Sequence, residues 1–234
     1  MKKYFSFFFL GFLVISYSAT GHAQQMMIGV RGGVNFANEK YDNPPSDGES
    51  ISGRTLLLAG GEFDYWFSNS WALSIQLLYD EKGAHADKLY FTTEESPDIN
   101  YGTGDWTTTY LEIPLLVKVR FGNDAIRPYL FAGPSIGYLL SNTLRLQATG
   151  GMNIPNELGV TYQVDTTGST TDYTNKIDVS LVAGAGISWK LVQGSEFFLD
   201  ASYAFGLTNS DQESGISVYS RDIRLAAGVL FPLN

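Results

Sequence analysis

The 234 residues contain no cysteine, which removes disulfides, thiolate metal sites and cysteine nucleophiles together. Histidine is almost as scarce: there are 2, and with His22 in the leader described below, His85 stands alone. Basic charge is also short. Lys and Arg number 15 against 24 Asp and Glu, a net charge of −9, and nucleic-acid phosphates need a basic face. No stretch after the leader reaches the ~18 apolar residues that mark a membrane-crossing helix. There is no His-x-x-x-His pair and no phosphate loop, so no cofactor is implied. What the chain does have is glycine (25 residues) and aromatic side chains (14%), a mixture that suits many twisted strands.

Residues 1–23 read as a secretory signal peptide. Met1-Lys2-Lys3 is a positive start, Tyr4 to Tyr17 is apolar, and small Gly21 and Ala23 set a cleavage site before Gln24. The apolar run is too short for a comfortable span, which disfavours a retained anchor. Residues 24–234 are then one domain, with 13 basic and 24 acidic side chains.

From Met26 onward hydrophobicity alternates with period two. In 107–121, Leu111, Ile113, Leu115, Val117 and Val119 share one face, while Glu112, Lys118 and Arg120 share the other. The pattern predicts eight strands, at 26–38, 52–67, 70–82, 106–121, 126–142, 176–192, 195–207 and 218–231. Tight turns at Ser68-Asn69, 122–125 and Gln193-Gly194 alternate with long polar connections at 38–51, 83–105, 143–175 and 208–217. Such alternation places every turn at one rim and every long loop at the other. It predicts an all-β fold, an eight-stranded antiparallel up-and-down transmembrane β-barrel with short periplasmic turns and long extracellular loops, in the outer membrane.

The polar face collects Arg31, Glu62, Asp64, Asp80, Lys82, Glu112, Lys118, Arg120, Arg127, Asp178, Lys190, Glu196, Asp200, Asp222 and Arg224. An eight-stranded barrel is only wide enough for side chains to fill it, so enclosed charges of mixed sign should pair. The candidate lumen cluster is Arg31, Glu62, Asp64, Glu112, Lys118, Arg120, Arg127, Asp178, Asp200 and Arg224. In a soluble lipocalin-like barrel the same charges would be outside, in water. Aromatic residues at the strand ends favour the membrane reading, because amphipathic rings prefer the headgroup boundary. Trp66, Phe67, Trp71, Phe121, Trp189 and Phe231 form the expected turn-side girdle, and Tyr79, Tyr110, Tyr138 and Tyr219 the loop-side one. Pro114 and Pro134 fall inside strands, where a bulge or kink is expected.

Several segments resemble the PorT-like outer-membrane β-barrel family. They are Met27-Ile28-Gly29-Val30-Arg31-Gly32-Gly33-Val34-Asn35-Phe36, Tyr110-Leu111-Glu112-Ile113-Pro114-Leu115-Leu116-Val117-Lys118, and Arg127-Pro128-Tyr129-Leu130-Phe131-Ala132-Gly133-Pro134. The resemblance implies an eight-stranded outer-membrane barrel without one fixed activity, one member being tied to protein secretion.

The functional expectation is therefore a non-enzymatic scaffold that presents extracellular loops. Its partners would be outer-membrane lipid and envelope or secretion-complex proteins, and the barrel would be monomeric. Two alternatives are a narrow pore for small solutes and a rim enzyme using His85, with Asp80, Glu81 and Asp87 nearby. The acidic groups Asp42, Asp47 and Glu49, and Glu94, Glu95 and Asp98, match no metal loop in spacing and are read as external surface.

Overall fold

The computed structural model describes residues 25–41, 51–93, 96–122, 125–152, 160–209 and 217–233. The leader, and the acidic groups at 42–49 and 94–95, lie outside them.

Among the described residues eleven strands form: β1 (Gln25–Ala37), β2 (Glu39–Tyr41), β3 (Ile51–Trp66), β4 (Trp71–Lys82), β5 (Ala84–Thr93), β6 (Ser96–Arg120), β7 (Ile126–Met152), β8 (Val160–Ser169), β9 (Ile177–Lys190), β10 (Glu196–Gly206) and β11 (Val218–Leu233). Eight of them close a ring. The order β1-β3-β4-β6-β7-β9-β10-β11 returns to β1, and every neighbour is antiparallel. Closure matters physically: a barrel has no unpaired edge inside hydrocarbon, where an orphan N–H or C=O has no water to bond.

These eight match the eight predicted strands, with one difference. The connections read as loops at 83–105 and 143–175 contain more strand. β6 and β7 run to 25 and 27 residues and stay paired as far as Gly102↔Ala148. β5 joins β6, and β8 joins β7, so the wall continues beyond the ring on the long-loop side. Strands need only about 9–11 residues to cross a membrane. The Thr- and Gly-rich sequence there hides the continuation, since neither residue marks an apolar face.

Side chains alternate across the wall as the period of two requires. Along β10, Phe198 is 2% exposed and Leu199 is 46% exposed. Outward positions on every ring strand are large and apolar, among them Val30, Leu57, Ile75, Leu115, Leu130, Leu181, Leu199 and Leu225. An apolar band facing outward, with charge enclosed, inverts the pattern of a soluble barrel and suits a lipid surround.

Three cross-strand pairs set a ring against a glycine inside the barrel: Tyr129 faces Gly186, Phe131 faces Gly184, and Phe198 faces Gly228. A Cβ on those glycines would come within 2.4, 2.4 and 2.5 Å of the ring atoms. The missing side chains are what let three aromatics lie flat in so narrow a lumen. Between β9 and β10 the turn uses left-handed backbone at Gln193 (φ 63) and Gly194 (φ 80), the handedness that matches strand twist.

Pro114 and Pro134 produce no bulge. The β6–β7 register is the same on both sides of them, from Ile113↔Ile136 and Pro114↔Ser135 to Val117↔Ala132. The register shift falls instead between Thr109↔Ser141 and Tyr110↔Leu139, near the outer rim.

Candidate functional site

The lumen is the site the sequence pointed to, and every ring strand contributes an ionised side chain to it. All ten residues of the candidate cluster are buried, and Asp80, Lys82, Glu196 and Asp222 join them. Lys190, from the same predicted face, lies at the end of β9 and is exposed. The charges sort into three tiers because strand stagger sets them at three heights.

Nearest the short turns, Arg120 and Arg127 converge on one carboxylate, Glu196, at 3.2 and 2.5 Å. The Arg120 guanidinium also stacks on Trp66, 3.8 Å from the ring centroid, and donates to the Asn69 carbonyl. In the middle tier, Lys118 is held by Glu62 and by Asp64 at 2.9 Å. Arg31 bridges Glu62 at 2.8 Å and Asp200 at 2.7 Å, and the Tyr129 hydroxyl donates to the second oxygen of Asp200. Towards the loops, Lys82 contacts Glu112, Asp178 and Asp222 at 3.2, 2.7 and 3.7 Å. Arg224 takes Asp80 and Glu112, both at 2.7 Å, and the Asn35 amide donates to Asp80.

Taking ions out of water is expensive, and the expense is offset only when each ion finds counter-charge and hydrogen bonds. The tiers meet that condition by sharing: Glu62, Glu112 and Glu196 each serve two cations. Apolar residues pack between the tiers, with Met27, Trp66, Leu116, Phe131, Phe198 and Leu230 in one buried cluster. A void bordered by Asp64, Lys118, Arg120 and Glu196 measures about 10 Å³, room for about one water.

Of the predicted girdles, Trp71, Phe121 and Phe231 at the turn side and Tyr79 and Tyr138 at the loop side are exposed on the outer wall. Phe67, Trp189 and Tyr219 are half-exposed. Two residues are corrected. Trp66 and Tyr110 are 5% and 2% exposed and face the lumen. Each stands an even number of residues from an enclosed acid, Trp66 from Asp64 and Tyr110 from Glu112, so parity places them inside. There they cover cations: Trp66 covers Arg120, and Tyr110 lies 5.2 Å from the Lys82 ammonium.

His85 sits on β5 above the ring. Its Nδ1 is 2.8 Å from Asp105 on β6 and its Nε2 is 3.1 Å from Asp87, while Arg54 approaches Asp105 at 3.5 Å. Asp80 does not join it; it is committed to Arg224 and Asn35 inside the barrel. Among the described residues no group of three or more His, Asp or Glu has the arrangement of a metal site. Further out, Arg145 and Asp165 form a two-bond pair across the β7–β8 hairpin, at 3.0 and 2.8 Å. The guanidinium beside it holds the Asp165 carboxyl below the usual carboxylate range.

No curated protein matches the sequence. Among solved structures, the chain is similar to neisserial surface protein A, with 13% identity, 87% of this chain and 96% of that one covered, and a TM-score of 0.46. It is similar to the outer membrane protein OprG of Pseudomonas aeruginosa, with 13% identity, 92% and 98% covered, and a TM-score of 0.43. It is also similar to the outer membrane protease OmpT of Escherichia coli, with 10% identity, 90% and 96% covered, and a TM-score of 0.42. A family profile described as the outer membrane protein beta-barrel domain matches residues 22–212. The chain belongs to that family, and its place is the outer membrane.

Proposed function

We propose that this protein is a closed-lumen scaffold, a non-enzymatic barrel that holds an extracellular β-extension and loops for binding at the cell surface. The observation that carries the reading is the filled lumen: three tiers of ion pairs with aromatic and aliphatic packing between them leave no wide water path. A rigid wall that supports variable connections is the usual division of labour between scaffold and recognition surface. The elongated β6–β7 pair, flanked by β5 and β8, gives those connections a firm base.

The same features weigh against the two alternatives. A pore needs a continuous hydrated route, and the tiers interrupt one at three levels. A general base at His85 needs a free ring nitrogen, whereas Asp105 and Asp87 engage both. The imidazole is better read as a clasp joining β5 to β6. Envelope or secretion-complex proteins remain the partners to look for at the outer surface, with the barrel itself a monomer.

Planar-bilayer recording of the refolded protein tests the closed lumen. Silent bilayers are expected while gel mobility confirms a folded barrel. Steady, ion-selective conductance steps would overturn the reading in favour of a pore.

A further inference from the structure

Six of the seven arginines, Arg31, Arg54, Arg120, Arg127, Arg145 and Arg224, lie within 3.5 Å of a carboxylate. Arg221 is the exception: among the described residues no carboxylate reaches it. It is also on the other side of the wall. Asp222 and Arg224 point into the lumen, so Arg221 shares the outward face of β11 with Ile223 and Leu225. A cation facing lipid within a strand is costly at mid-bilayer and tolerable only near the interface. Its neighbours place it there. Phe36, Tyr203 and Phe205 stand beside it on the outer wall at the loop-side rim, 41%, 43% and 42% exposed.

The guanidinium is held in place rather than free to swing. It stacks on Phe205 at 3.8 Å, and its Nη1 donates to the carbonyls of Gly206 and Ser220 at 2.8 and 2.6 Å. Nε and Nη2 make no hydrogen bond among the described residues and are not buried. Arg221 borders a notch of about 400 Å³ between the ends of β1, β3, β10 and β11, where Asn38, Arg54, Thr55 and Tyr203 add polar groups and Phe36 and Ile223 add apolar ones. A fixed guanidinium with two donors open among the described residues fits an oxyanion, and phosphate takes such a fork in a bidentate manner. The apolar half of the notch continues into the lipid-facing wall, so the ligand should carry acyl chains.

We infer that Arg221 and its notch form a binding site for a phosphate-bearing lipid of the outer leaflet, with the phosphate on Nε and Nη2 and an acyl chain along Phe36 and Ile223. The occupant is a lipid because the notch opens sideways into the membrane, above the apolar band and below the extracellular extension.

Native mass spectrometry of the barrel in mixed micelles tests the site, with diphosphoryl lipid A as probe against its dephosphorylated form and phosphatidylcholine. The expected result is one retained diphosphoryl lipid per barrel, preferred roughly tenfold or more over both competitors, the value of a charge-assisted hydrogen-bond pair. Arg221→Gln should abolish that preference, while Arg145→Gln, on the remote hairpin, should leave it intact. Heat-modifiable gel mobility reports whether each variant is folded, and the competition on the unaltered protein stands even if Arg221→Gln fails to fold. Equal retention of the three lipids by the unaltered protein would overturn the inference. So would a folded Arg221→Gln protein that keeps the preference, or barrels that pair through this face and retain no phosphorylated lipid.

Discussion

Arg224 on β11 meets Asp80 on β4 at 2.7 Å across the loop-side end of the lumen, joining positions 144 apart in sequence. With Glu112, also 2.7 Å from Arg224, and Lys82 at 3.2 Å from Glu112, the pair ties three strands of the wall through its interior. Hydrogen bonds around the ring hold neighbours; the two ion pairs of Arg224 hold strands that are not neighbours.

Glu112→Leu should therefore destabilise the barrel by about 3–5 kcal/mol, because it leaves Lys82 and Arg224 short of counter-charge where water cannot reach them. Urea unfolding followed by tryptophan fluorescence in detergent would measure it. An unchanged midpoint and slope would mean the outer tier is hydrated rather than enclosed.

Gly184→Ala should cost about 1–3 kcal/mol, since the added methyl would fall 2.4 Å from Phe131 and 2.5 Å from the Ala201 carbonyl. The companion change Phe131→Leu, made in the alanine background, should recover part of the loss. A double variant no more stable than Gly184→Ala alone would show that the backbone clash with Ala201, not the ring, dominates.

Much of the barrel is legible in the sequence because its signal is physical and repeated. Alternation fixes which residues face inward, and the tight turns at Ser68-Asn69, 122–125 and Gln193-Gly194 fix which ends lie together. The same parity places Glu62, Lys118 and Arg224 inside. Residue type and strand-end position suggest girdle places for Trp66 and Tyr110, whereas parity with Asp64 and Glu112 puts them within. Which cation meets which acid is a different matter. That Arg31 bridges Glu62 and Asp200 depends on the stagger of β3 and β10 around the ring, a three-dimensional quantity that no local pattern encodes. The β5 and β8 extensions are hidden for another reason: their residues carry weak alternation.

The β7–β8 hairpin should loosen in acid. Asp165 has a lower pKa when paired with Arg145 than in the unfolded chain, so its ionised form adds stability above the ordinary value of ~4. That contribution is lost as pH falls through the lowered folded value. Amide exchange along β7 and β8, corrected for intrinsic rates, should be pH-independent near neutrality and rise in acid. Asp165→Asn should exchange at the acid level throughout, and identical pH profiles for the two proteins would reject the role of the pair.

His85→Gln should leave unfolding of the eight-stranded ring unchanged while speeding exchange at the β5–β6 contact, where His85 and Asp105 are direct partners. Loss of the whole barrel in this variant would mean that the extension, rather than the ring, organises the fold.

The central claim is the orientation of the wall, with hydrocarbon side chains in lipid and ionised ones enclosed. The absence of cysteine makes a direct test simple, since single cysteines can carry spin labels without background. Labels at 199, 201, 202, 203 and 204 along β10 should alternate in liposomes. Positions 199, 201 and 203 should be accessible to dissolved oxygen, while 202 and 204 should be immobile and shielded from both oxygen and a water-soluble nickel chelate. Ready access of the nickel reagent to 202 and 204, or loss of the alternation, would contradict the account.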